Sequence, residues 1–230
     1  MSPIFKLVLS MLLMPLINQT TYATVVKDET PWPSDPSVQP RSLVTIPMGK
    51  RPIFIFAFVH DDVPESRFQS IYPAHFLPMV KELKIATGRD VSVKFIRKTP
   101  PYTSYVYRGE NQTSYDGWKA LGEHYRDNNN LPFGRTTKFL LLTNDWMNSH
   151  TLGITAEGQQ FGLATVASQQ IVGHEVGHML TAQHELSEIR YNGWLCETFM
   201  IPKVNPLYSS CFVYTDPNRA RINNFLADTP

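Results

Sequence analysis

The segment IFIFAFV (Ile53–Val59) constrains the fold of this chain more than any other feature, because it is a short and continuous apolar run. Such a run is typical of a strand that is buried on both faces, as the strands of a parallel sheet are. VSVKFIR (Val91–Arg97) predicts a second strand, and KFLLLT (Lys138–Thr143) predicts a third. Because helical patterns lie between these segments, we expect an α/β fold with a mostly parallel sheet and crossover helices.

The two segments between the predicted strands each have the apolar spacing of an amphipathic helix. In the first, apolar residues recur at helical spacing from Phe68 to Leu83, and Gly88 indicates where the helix ends. Pro73 and Pro78 interrupt this pattern, so its N-terminal half should be kinked or form a separate turn. The second pattern lies around Trp118 and predicts a shorter helix.

The N-terminus has the features of an export signal. A single positive charge at Lys6 precedes the apolar stretch LVLSMLLMPLI, and the small residue Ala23 suits a cleavage site. The alternative is a membrane anchor, but Ser10 and Pro15 break the apolar run, which falls short of the ~20 residues that a bilayer span needs. We therefore predict a signal peptide over residues 1–23, a secreted or periplasmic location, and a mature chain without a membrane anchor.

The remaining chain divides into an arm and one domain. PWPSDPSVQP has four prolines in ten residues, which excludes a helix or a central strand, so residues 24–50 are predicted to be an extended leader arm. Residues 51–230 have the length of a single domain. The chain has 21 basic and 20 acidic residues, and so small a net charge gives no electrostatic reason to expect nucleic acid as a partner.

The chain has two cysteines, Cys196 and Cys211. In an exported protein an even pair at this spacing is expected to form a disulfide. The alternative is two buried free thiols, which export disfavours. No CxxC spacing is present, so zinc ligation by cysteine is not expected.

Residues 174–184 read HEVGHMLTAQH and carry the main chemical signal. On a helix, His174 and His178 stand on one face, one turn apart, so their imidazoles can bind one zinc ion at about 2.0–2.1 Å. Glu175 can reach a water molecule at that metal without being a ligand, and His184 can supply a third imidazole. The alternative is that the three histidines have no metal-binding role. Against it, His174, Glu175, His178 and His184 match a zinc-site motif in both residue type and spacing. The sequence therefore predicts one catalytic zinc ion, with Glu175 as general base.

This motif resembles HExxHxxGxxH, the signature of the metzincin clan of zinc metallopeptidases, and in particular of its adamalysin (reprolysin-like) branch. FGLATVASQQIVGHEVGHMLTAQHE is similar to the edge strand, active-site helix and third-ligand turn of those enzymes. CETFMIP (Cys196–Pro202) is similar to their methionine turn, and YSSCFVYTDPNRARINNFL to their C-terminal disulfide-linked helix. The resemblance covers residues 161–226, and before residue 150 only the order of elements agrees with it.

The resemblance implies a fold and a set of site residues. The fold would be a twisted, mostly parallel sheet with an antiparallel edge strand and two long helices plus the active-site helix. An upper subdomain (51–183) would be followed by a small lower one (184–230) with a methionine turn and a C-terminal helix. Met200 would lie below the metal, and Gly162, Leu163 and Ala164 would form the edge strand that binds an extended peptide.

One position departs from the clan's signature, because Thr181 stands where its glycine would be. That glycine lets the chain leave the helix in a left-handed conformation, which returns the third ligand to the metal. The chain must turn near Thr181 for any third ligand to arrive, and His184 has the clan's spacing. The rival third ligand is a downstream glutamate, Glu188 or Glu197, as in thermolysin-like gluzincins.

The leading hypothesis is a secreted zinc endopeptidase that acts as a monomer on a protein or peptide substrate. Zinc would be its one cofactor, and water would attack the peptide bond with Glu175 as base. A second hypothesis is another zinc hydrolase, such as an amidase that acts on cell-wall or modified peptides. A third is a binding module on an inactive peptidase fold, which the presence of Glu175 disfavours.

Overall fold

The computed structural model describes residues 23–27 and 49–229. The signal peptide predicted over residues 1–23 lies outside the described residues, except for Ala23, and residues 28–48 of the predicted arm also lie outside them. Both interpretations therefore stay predictions. Among the described residues, no helix is long and apolar enough to cross a bilayer.

A six-stranded sheet forms the centre of the fold. Its strands are β1 (Ala23–Lys27), β2 (Ile53–Val59), β3 (Val91–Arg97), β4 (Thr137–Thr143), β5 (Gly153–Thr155) and β6 (Phe161–Thr165). Their spatial order is β1-β3-β2-β4-β6-β5. The four inner strands are parallel, whereas β1 and β5 run antiparallel at the two edges. The predicted mostly parallel sheet is confirmed, and the first residues of the predicted arm add a strand to its edge.

The position predicted for the edge strand is wrong. β6, which contains Gly162, Leu163 and Ala164, pairs in parallel with β4 and antiparallel with β5, so both of its edges are occupied. All five of its residues are buried. The antiparallel edge strand is β5, and its three residues are too few for a strand pattern to be recognised in the sequence.

The connection between β2 and β3 is a helix that changes its geometry at its prolines. It consists of α1 (Glu65–Ile71), a π-helical turn (Tyr72–Phe76) and α2 (Leu77–Thr87). Pro73 and Pro78 are each the second residue of a segment, and because proline has no backbone N–H, neither can donate to the preceding helical turn. Gly88 ends α2 at φ 63°. The predicted interruption and the predicted end are both confirmed.

The second helix begins earlier than the apolar pattern indicated. α3 (Asn111–Asn128) has 18 residues and is shorter than the helical connection from Glu65 to Thr87, as predicted, but its first residue lies well before Trp118. Its N-cap is Glu110, whose carboxylate accepts a hydrogen bond from the Thr113 backbone N–H at 2.9 Å. This cap starts the helix well before the apolar pattern around Trp118, which explains the difference.

The chain continues from β6 into the remaining elements. They are α4 (Ile171–Met179), a single 3₁₀ turn (His184–Leu186), β7 (Ile189–Tyr191), β8 (Leu195–Glu197), β9 (Ser209–Ser210) and α5 (Asp216–Leu226). β7, β8 and β9 form a second, small sheet. Cys196 in β8 is disulfide-bonded to Cys211, as the sequence predicts.

Two apolar layers cover the two faces of the central sheet. Buried residues of α2, α4 and α5 form one layer, which contains Val176 and Ile222. α3 covers the other face, where Trp118 meets Phe58 edge to face with 5.1 Å between ring centroids. The helix that carries the predicted zinc motif therefore lies directly against the sheet.

Candidate metal centre

Helix α4 rests on the turn that contains Met200. A Cβ atom at Gly173 would overlap the ring of Phe199, and a Cβ atom at Gly177 would lie 2.5 Å from Met200 Sδ. The two glycines are one helical turn apart, so they form a side-chain-free face on which this turn can pack. Met200 is fully buried against α4, and its place below a metal ion stays a prediction.

Three imidazoles converge beside this turn. Nε2 of His178 lies 3.1 Å from Nε2 of His174 and 2.9 Å from Nε2 of His184, and the third side of the triangle is 3.0 Å. Nitrogen ligands of a tetrahedral zinc ion at about 2.0–2.1 Å stand about 3.3 Å apart, so only small shifts separate this arrangement from metal coordination. Among the described residues, these three histidines are the group that can hold a metal ion.

Hydrogen bonds fix the tautomers of two of these rings. Nδ1 of His174 lies 2.8 Å from the carbonyl oxygen of Phe199, and Nδ1 of His178 lies 3.0 Å from that of Ala182. Because a carbonyl oxygen only accepts, each neutral ring carries its proton on Nδ1. Their Nε2 lone pairs then face each other, which is unfavourable unless a cation lies between them. The donor set therefore fits a metal ion, with backbone carbonyls orienting the ligands.

The protonation states agree with a ligand role. Burial, together with the neighbouring His178, lowers the pKa of His174 to about 3. Burial, together with the neighbouring His184, also lowers the pKa of His178. Both rings are therefore neutral at pH 7, as metal-binding imidazoles must be.

The third histidine reaches the cluster because α4 ends in a left-handed turn. The Ala182 N–H donates to Gly177 O at 2.8 Å, and the Thr181 N–H donates to His178 O at 2.9 Å, which together make a Schellman motif. Thr181 has φ 72°, so the left-handed turn expected at or near this residue falls on it. A β-branched residue in this conformation costs about 1–2 kcal/mol relative to an ordinary one. The chain tolerates this strain where the clan's signature has glycine.

The rival glutamates lie outside the cluster. Glu188 is exposed and pairs with Arg190. Glu197 is buried, and its Oε1 accepts a hydrogen bond from the Asn205 N–H at 2.9 Å. Neither belongs to the group of side chains that can share a metal ion with His174 and His178, whereas His184 does.

Glu175 lies on α4 next to the cluster and points toward the edge strand. Its side chain is against Gly153 of β5, where a Cβ atom would overlap the carboxyl group. Glu175 is 4% exposed, and burial raises the pKa of its carboxyl group well above the ordinary value. A carboxylate with a raised pKa is a stronger base than an exposed one, which suits proton transfer.

The structure adds residues that the sequence patterns did not indicate. Lys138, the predicted first residue of the third strand, is fully buried, and its Nζ donates to Met179 O at 2.6 Å and to Gln159 O at 3.1 Å. It thereby satisfies a carbonyl at the C-terminal end of α4, and burial lowers the pKa of its ammonium group to about 7. A lysine in a strand is usually a surface residue, so the sequence carries no signal for this role. Gly153 had no signal either, because its strand is so short.

No protein-family model matches the chain, and no curated protein matches it. A function for the protein is therefore inferred from the geometry of the three histidines, Glu175 and the edge strand β5.

Proposed function

We propose that the protein is a secreted, metzincin-type zinc endopeptidase. The observation that carries the proposal is the convergence of three imidazole Nε2 atoms, at 2.9–3.1 Å from each other, two of them from the helix that also bears Glu175 and the third from the turn that follows it. Three protein nitrogens leave a fourth position of a tetrahedral zinc ion open, which is typical of catalytic and not of structural sites. Zinc bound by His174, His178 and His184 would supply Lewis-acid activation of water and of the substrate carbonyl.

In this proposal Glu175 moves the protons. Its carboxylate takes a proton from the attacking water and then gives it to the nitrogen of the departing amine, so the group is unchanged after one cycle. Burial favours this role, because it keeps the carboxyl group away from bulk water and raises its proton affinity. Met200 contributes an apolar floor and no ligand atom.

The edge strand β5 would orient the substrate. Gly153, which contacts Glu175, belongs to β5, and one edge of this strand is unpaired within the described part of the chain. An extended peptide can add to such an edge through backbone hydrogen bonds, which would place a scissile bond near Glu175. Substrate binding is therefore assigned to Gly153–Thr155, one strand further out than the sequence indicated.

Two further features support export. The N-terminal sequence has the features of a signal peptide. The disulfide between Cys196 and Cys211 is the kind of cross-link that persists in oxidising compartments.

The proposal can be tested with an unfolded protein substrate such as casein. We expect cleavage that a chelator abolishes and that added zinc restores, with no cleavage by His184→Ala. His124→Ala is the matched control, because His124 lies on α3 outside the cluster and hydrogen-bonds to Tyr102. Casein cleavage that survives both the chelator and His184→Ala would contradict the proposal, and metal-dependent hydrolysis of a simple amide without casein cleavage would favour the amidase.

A further inference from the structure

The N-cap of helix α5 and two residues within the helix hydrogen-bond to the backbone of the segment that carries the third ligand. The residues are spaced by three along the chain, and we call Thr215, Asn218 and Arg221 the α5 clamp. Their side chains donate to the carbonyl oxygens of Leu186 at 2.6 Å, Gln183 at 3.0 Å and Thr181 at 2.7 Å, respectively. The clamp therefore binds the chain on both sides of His184.

Asn218 makes the most complete of these contacts. Besides donating to Gln183 O, its Oδ1 accepts the Gln183 N–H at 2.8 Å, so both backbone groups of the residue before His184 are paired with one side chain. Asn218 is fully buried, so water cannot replace these hydrogen bonds if they are broken. Gln183 is held in an extended conformation, with φ −127° and ψ 150°.

Arg221 acts on the left-handed residue itself. Its Nε donates to Thr181 O at 2.7 Å, and the Thr181 hydroxyl donates back to Arg221 O at 3.4 Å. Its Nη2 also pairs with Glu157 Oε1 at 2.7 Å. Glu157 accepts a hydrogen bond from the Gln183 side chain at 3.2 Å, so the turn before β6 joins the same network.

We propose that Asn218 and Arg221 are positioning residues for the third metal ligand. Together they hold Thr181 in the turn that a β-branched residue resists, and they hold Gln183 extended, so that Nε2 of His184 faces His174 and His178. The clamp thereby does by tertiary contacts what glycine does by its own conformational freedom. The inference rests on the proposed function only in requiring that the three histidines bind a metal ion.

The test measures metal affinity instead of catalysis. Co²⁺ is titrated against a competing chelator, and its visible absorption reports the ligand geometry. We expect Arg221→Met to weaken Co²⁺ binding by about 10-fold and to change the spectrum; this is the lower end of the effect of removing a direct hydrogen-bond partner of a metal ligand, because Arg221 acts on the backbone before His184 and not on its ring. Asn218→Leu should have an effect at least as large, provided that circular dichroism shows it to be folded.

The rescue variant separates positioning from general stability. In Arg221→Met combined with Thr181→Gly, the glycine adopts the turn unaided, so most of the lost affinity should return. Arg219→Met is the matched control, because Arg219 lies on the same helix but pairs with Glu82 of α2 at 2.8 Å. We expect it to lower the melting temperature and to leave the Co²⁺ affinity and spectrum unchanged.

The behaviour of the wild type and of Arg221→Met separates the metal site from the clamp. A wild-type protein that binds no Co²⁺ would overturn the metal site, and the clamp's role with it. If the wild type binds Co²⁺ and Arg221→Met has the same affinity and spectrum, the proposed positioning role of the clamp is wrong, whereas the metal site is supported. An affinity loss that Thr181→Gly does not restore would also overturn the proposed role of Arg221.

Discussion

Replacing Thr181 by glycine tests the most unusual feature of the site. Because Thr181 has φ 72°, the substitution should relieve about 1–2 kcal/mol of strain. Against this, glycine has more freedom in the unfolded chain, which costs about 0.4–1 kcal/mol. The hydroxyl contact with Arg221 O, at 3.4 Å, is too long to contribute much. We therefore expect Thr181→Gly to be neutral or to stabilise the fold by up to about 1.5 kcal/mol.

Thermal unfolding measures this difference directly. For a chain of this length, 1 kcal/mol corresponds to about 2–4 °C, so the melting temperature should stay constant or rise by up to about 6 °C. Thr113→Gly is the matched control, because Thr113 is an exposed residue in the first turn of α3. There glycine relieves no strain and only adds freedom to the unfolded chain, so the same substitution should lower stability by about 0.4–1 kcal/mol. The strain argument is refuted if Thr181→Gly lowers the melting temperature as much as Thr113→Gly does.

Further predictions concern the base, the disulfide and an ion pair remote from the metal site. Glu175→Ala should keep Co²⁺ affinity and fold but lose at least about two orders of magnitude in turnover; full activity in the metal-loaded variant would exclude Glu175 as the base. Alkylation without reductant, followed by mass spectrometry, should modify neither Cys196 nor Cys211, and reduction should cost on the order of 3 kcal/mol of stability for a loop of this length. His60 pairs with Asp62 at 2.8 Å; burial opposes the charged ring, but hydrogen bonding and the charge of Asp62 outweigh burial and raise the pKa of His60. Because a raised pKa stabilises the fold below the unfolded pKa of about 6.5 and ceases to do so as the pH rises through the folded value, His60→Asn should cost most at about pH 5–6 and less at about pH 8. Urea unfolding at the two pH values measures this, and a larger cost at the higher pH would contradict the assignment.

The sequence determined the elements whose signal is local. IFIFAFV and VSVKFIR give their strand bounds without error, because buried and half-buried strands have distinct apolar patterns. The prolines at 73 and 78 mark where the first helix changes geometry, because proline acts on the backbone next to it. The spacing of His174 and His178 likewise implies one face of one helix, whatever surrounds it.

Local apolar patterns do not predict features that depend on what lies next to a strand or helix. FGLAT has the pattern of a strand, but whether another strand pairs with its outer edge depends on Gly153–Thr155, a segment too short to recognise. The length of α3 depended on the cap supplied by Glu110, which the apolar pattern does not contain.

The third ligand best separates what the sequence determines from what the tertiary structure determines. The sequence requires that the chain turn near Thr181, because a continuing helix would carry every later side chain away from the metal. It leaves open whether His184, Glu188 or Glu197 arrives, since each is compatible with some path of the chain. Only the tertiary structure decides this, because helix α5, 35 to 40 residues further on, hydrogen-bonds to the backbone at Thr181 and Gln183 and offsets part of the strain of the turn. A local pattern identifies which residues can bind a metal, whereas the path that brings them together is fixed by contacts between distant parts of the chain.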